Sequence, residues 1–98
     1  MGDEADRSPA DLDRRRRRAL YRASHRGTKE MDWMLGRYAE SALAGMAEPA
    51  LMRFEELLAM PDPEISGWVL HPETLSYSQF GDLIAAVRLF HRLDHSAA

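Results

Sequence analysis

Arg26, Gly27, Glu30 and Asp32 bring a cation, a residue without a side chain and two carboxylates into one short stretch. A guanidinium is a planar fork of donors, and an ionised carboxylate only accepts. Glycine lets another backbone come close. Together they suit docking on a polar surface and fill a core badly. In this reading Arg26 offers its fork to a partner carboxylate or polar loop. Glu30 accepts from partner donors or steadies Arg26 one turn away. Each residue also has a plain structural account: Gly27 as a helix cap, Glu30 as a first-turn acid, Arg26 as a solvated last-turn cation. Trp33 lies off the apolar stripe of its helix and fits either a half-core position or an exposed contact anchor.

Other constellations carry less. Arg14 to Arg18 are five consecutive arginines. Clustered arginines neutralise phosphates, so they raise nucleic-acid binding as an alternative function. Asp11 and Asp13 dilute that patch, and the sequence offers no aromatic platform beside it. Steering toward an acidic partner is the better use of such a run. His91 and His95 stand at metal-ligand spacing if both are helical, and they equally suit the negative end of a helix. His25 reads as a surface residue. Glu55 and Glu56 are adjacent and diverge on a helix, so they form no acid–base pair. Neither a nucleophile elbow nor a glycine-rich phosphate loop is present. Nothing here catalyses on its own account.

These residues need positioning elements, and the apolar spacing supplies five helices. The first carries Leu12, Ala19, Leu20 and Ala23 on one face and closes at Ser24–Gly27, with Ser8 or Asp11 as its start. The second is striped by Met31, Met34, Leu35, Tyr38, Ala42 and Leu43 and ends at Gly45. Pro49 opens the third, striped by Leu51, Phe54, Leu57 and Leu58 and stopped by Pro61. Asp62-Pro63-Glu64 starts a short fourth, with Asp62 as N-cap and Ile65, Trp68 and Val69 inward. His71–Thr74 is a turn. Ser76 or Ser78 caps the fifth, which carries Phe80, Leu83, Ile84, Val87 and Phe90. No segment alternates with the period of a strand. The expectation is an all-α, compact five-helix bundle. Residues 1–9 read as a disordered leader, 10–94 as a single domain and 95–98 as a frayed tail.

Ninety-eight residues allow one modest core. The absence of cysteine removes disulfides and thiolate chemistry. No apolar run is long enough to cross a bilayer. An acidic start without a signal-type apolar stretch argues against export or a mitochondrial presequence, so the expected compartment is the cytoplasm. Residues 1–30 hold nine basic and six acidic side chains; residues 31–98 hold four and ten. A basic end on an acidic body favours an oriented encounter with a charged partner.

Arg26-Gly27-x-x-Glu30 between the first two helices, with Asp32 beyond it, resembles the small FAD assembly factors of succinate dehydrogenase. Asp62-Pro63-Glu64 leading to Trp68 adds to that resemblance, which covers roughly residues 14–93. It implies a five-helix bundle that binds the flavoprotein subunit of succinate dehydrogenase, and in some members that of fumarate reductase. It implies that the bundle promotes covalent attachment of FAD to a client histidine. The helper is then no enzyme, has no cofactor of its own, inserts in no membrane, binds no nucleic acid and is a monomer when free. The client-facing role that the resemblance implies falls on Arg26, Gly27 and Glu30; Asp32 beside them and Trp33, from its place off the stripe, complete the expected partner-binding set.

Overall fold

A computed structural model describes residues 9–75 and 79–93. The five helices are α1 (Pro9–Ser24), α2 (Lys29–Ala42), α3 (Glu48–Leu58), α4 (Asp62–Leu70) and α5 (Gly81–Phe90). Short 3-10 turns at Leu43–Gly45 and Pro72–Thr74 link them. No strand occurs among the described residues. The all-α bundle is therefore as expected. The leader before Pro9, the serines Ser76 and Ser78, and the tail 95–98 lie outside the described residues. Neither serine is the cap expected for α5, because that helix begins at Gly81 with Phe80 at its N-cap position and no side-chain cap bond.

The core forms where the apolar stripes meet. Phe54, Leu35, Leu51, Leu57, Ile65, Ile84, Val69 and Val87 are fully buried. Helix α1 packs on α2 and α3, and α5 packs on α4 and α2. Trp68 is half-buried, its ring 5.8 Å from that of Phe80. Burial raises the Tyr38 phenol above its ordinary range, since the phenolate would lose its water.

The arginine run divides by helical phase. Arg15 shares the inward side with Ala19 and reaches across to α3. Its Nε and Nη2 donate to the two oxygens of Glu55 at 3.1 and 2.7 Å, and its Nη1 to Glu48 at 3.2 Å. Chiefly through the Glu55 hydrogen bonds, the Arg15 guanidinium is held above its usual value. Arg16 donates to the Met46 carbonyl at 2.9 Å and to Asp13 at 2.8 Å. These two arginines tie α1 to the body rather than wrapping it with free charge.

Gly36 sets how closely α1 and α2 approach. A Cβ there would stand 2.9 Å from Ser24 Oγ and 3.2 Å from Ser24 Cα. The hydroxyl can rotate away; the backbone of α1 cannot. Gly36→Val is therefore expected to cost about 1–3 kcal/mol through overpacking. Urea unfolding measures it, and an unchanged midpoint contradicts the close approach.

Candidate functional site

The corner between α1 and α2 is held from inside. Thr28 caps α2, its Oγ1 accepting from the Met31 amide at 3.2 Å. Asp32 Oδ1 accepts from the backbone amides of Arg26 and Gly27, the latter at 3.3 Å. A carboxylate in the first turn of α2 thus fastens the link that precedes it. That frame holds Gly27 at φ 126°, a region other residues enter only with strain. Nothing lies within 4 Å of where a Gly27 Cβ would stand. The corner is open to solvent at Gly27 and Glu30.

Arg26 is placed differently from the sequence expectation. Its fork faces inward, with only 10% of the side chain exposed. Nη1 donates to the Leu58 carbonyl at 2.8 Å and Nη2 to the Met60 carbonyl at 3.1 Å. Nε donates to Asp62 Oδ1 at 2.8 Å. One guanidinium therefore satisfies carbonyls at the end of α3 and pairs with the first turn of α4. Helix ends leave such carbonyls without intrahelical partners, and an acid is favoured where α4 begins. Glu30 is not its partner. Asp62 is not an N-cap either: Pro61 holds that position without a side-chain bond, and the Asp62 carboxylate serves Arg26. Arg26, Asp32 and Asp62 build the corner, while Gly27 and Glu30 present it.

Trp33 is 53% exposed, so it stands at the surface rather than in the core. Its indole lies on the His91 ring at a centroid distance of 4.3 Å. His91 Nε2 bonds the Met34 carbonyl at 2.8 Å, and since a carbonyl only accepts, that nitrogen is the donor. Helix α5 ends at Phe90, so His91 follows the helix and locks its end onto α2. The helical His91–His95 spacing is not present at His91, and His95 lies outside the described residues.

Beside the corner an open groove of about 590 Å³ runs between α2 and α4. Met31 and Met34 line it, with Trp33, Leu70, Pro63 and Glu30 at its sides. Leu70 is 58% exposed. Sequence reasoning passed over this groove. The one signal was a leucine ending the short α4 outside its inward set. The groove is mainly apolar, with Glu30 and Asp62 as an acidic lip and the Thr28 and Ser66 hydroxyls also on its lining. Among the described residues no three His, Asp or Glu side chains gather as a metal site. No helix among them is long and apolar enough to cross a membrane.

Residues 17–91 match the family described as the flavinator of succinate dehydrogenase. The chain belongs to that family. It is 42% identical over 59 residues to the FAD assembly factor SdhE of Acetobacter pasteurianus, covering 60% of this chain and 54% of that protein. It is 33% identical over 61 residues to the mitochondrial succinate dehydrogenase assembly factor 2 of Dictyostelium discoideum, covering 62% and 43%. A relative of the same description from Caenorhabditis briggsae is 43% identical over 47 residues, covering 48% and 38%. The chain thus spans about half the length, or less, of these curated relatives. No solved structure matches it. Family membership gives the corner and its groove a context that geometry alone does not supply.

Proposed function

We propose that this protein is an assembly factor that binds the flavoprotein subunit of succinate dehydrogenase and promotes covalent attachment of FAD to it. The observation that carries the reading is the family match over residues 17–91. The named relatives support it, as does a solvent-facing corner beside an apolar groove. Fumarate reductase is a second client in this reading, and the site of action is the cytoplasm. The bond to flavin forms on the client, between its histidine and the flavin, and the helper holds no cofactor.

The division of labour follows from the placement of the side chains. Gly27 allows a client backbone close to the corner, and Glu30 accepts from client donors. Trp33 supplies a rigid aromatic anchor, preset by its tilted ring contact with His91. Arg26 and Asp32 are positioning residues that keep the corner in shape. Docking restricts the client to arrangements in which its histidine meets the flavin, which lowers the entropic part of the barrier. Catalysis proper stays with the cofactor and the client.

The direct test incubates the purified flavoprotein subunit with FAD, with and without this protein, and reads covalent flavin by in-gel fluorescence. Faster flavinylation with the protein is expected; equal rates reject the proposal. A second measurement isolates Trp33. Trp33→Ala is expected to cost about 1 kcal/mol of stability through the lost ring contact with His91. It is expected to cost about 2 kcal/mol of client affinity, the scale of an interface hot spot. Unchanged affinity by calorimetry would remove Trp33 from the interface.

A further inference from the structure

Arg15 and Arg16 turn toward the body, and this leaves Arg14, Arg17 and Arg18 exposed on the outer side of α1. Tyr21 and His25 continue that side at helical spacing. Tyr21 is 64% exposed, and its ring stacks on His25 at 3.9 Å with the planes 17° apart. His25 Nδ1 bonds the Tyr21 carbonyl at 2.8 Å, which fixes the stack. Arg17 and Arg18 form no ion pair among the described residues, and Arg14 is bonded to Asp11. The ridge from Arg14 to His25 is about 16 Å long. It ends one residue from Arg26 and so runs into the corner.

We propose that this ridge is a second docking surface, fitted to a compact acidic patch on the same flavoprotein subunit that the corner engages. The inference rests on the function proposed above and adds the chemistry of the partner surface. Arginine and tyrosine are the residue types that anchor interfaces, and here a preformed stack lowers the cost of ordering them. The borders of the ridge select the partner. Asp11 and Asp13 lie at its start, Glu48 and Glu55 flank it through Arg15, and Glu40 lines a shallow groove with Arg17. A nucleic acid carries charge continuously along its length. It would overrun this short strip onto an acidic body. A local acidic patch on a folded protein would not.

The test measures association of the full-length protein with the purified flavoprotein subunit at about 20 mM and about 500 mM salt. The triple variant Arg14→Gln, Arg17→Gln, Arg18→Gln is compared with Tyr21→Ala, and circular dichroism verifies both folds. The triple variant is expected to associate at least about tenfold more slowly at low salt, the difference closing at high salt. Tyr21→Ala is expected to leave association unchanged and speed dissociation several-fold, as loss of a short-range anchor does. A triple variant that associates as fast as wild type at low salt overturns the ridge while the corner's role stands. If wild type fails to bind the subunit but binds a single-stranded RNA oligonucleotide, the ridge and the proposed function are both overturned.

Discussion

Arg26→Ala is expected to unfold well below the wild-type temperature. The substitution removes the donors that serve Leu58 and Met60 carbonyls and strands the Asp62 carboxylate, whose side chain is 23% exposed. Removing one partner of a buried pair costs about 3–5 kcal/mol, and the water that reaches Asp62 brings the expectation here to about 2–4 kcal/mol. For a domain of this size that lowers the melting temperature by roughly 10–25 °C. Arg26→Lys falls between, since an ammonium pairs with Asp62 but cannot reproduce a fork bonded to three groups. Client flavinylation by Arg26→Ala should recover on cooling, because the variant fails by losing shape. A melting temperature equal to wild type would show that the fork is not seated, and would return Arg26 to the partner-facing set.

Gly27→Arg is expected to fail in the opposite way. The φ of 126° makes any side chain there strained, at about 1–3 kcal/mol. The space around the position is open, so the bundle absorbs that cost and stays folded. Gly27→Ala carries the same backbone strain without the bulk. Comparing the two separates strain from approach. Both should melt at similar temperatures, while Gly27→Arg loses about 3 kcal/mol more client affinity than Gly27→Ala, roughly a hundredfold. In-gel flavin fluorescence of the client should follow affinity and should not recover on cooling. Equal client affinity for the two variants would place Gly27 outside the interface.

Arg26 and Gly27 are neighbours in sequence, and spacing gave no reason to separate them. Their fates differ because Arg26 finds its partners 32 to 36 positions away, and two of those are backbone carbonyls. A carbonyl has no residue type, so no pattern of letters announces it. The His91 bond to the Met34 carbonyl, 57 positions apart, was hidden for the same reason. The arginine run is another case. Rotation of 100° per residue already places Arg15 beside Ala19 on the inward side of α1. That signal was available, and reading five arginines as one charge patch obscured it. Asp62 was recognised as an acid suited to a helix start, which it is. Only the packing of the α1–α2 corner against the α3–α4 link shows that its carboxylate is held by Arg26.

The helices were written in the chain itself. Apolar spacing on Met31–Leu43 and Leu51–Leu58 sets the inward sides of α2 and α3, and Pro49, Pro61 and Pro63 mark the bounds of α3 and the start of α4, because those signals act within a few residues. The solvent-facing corner at Gly27 and Glu30 was legible in the same local way. Tertiary structure alone decided that Arg26 faces inward, that Trp33 rests on His91, and that a groove opens between α2 and α4. Those outcomes depend on contacts between segments far apart in sequence, which exist only once the helices have packed.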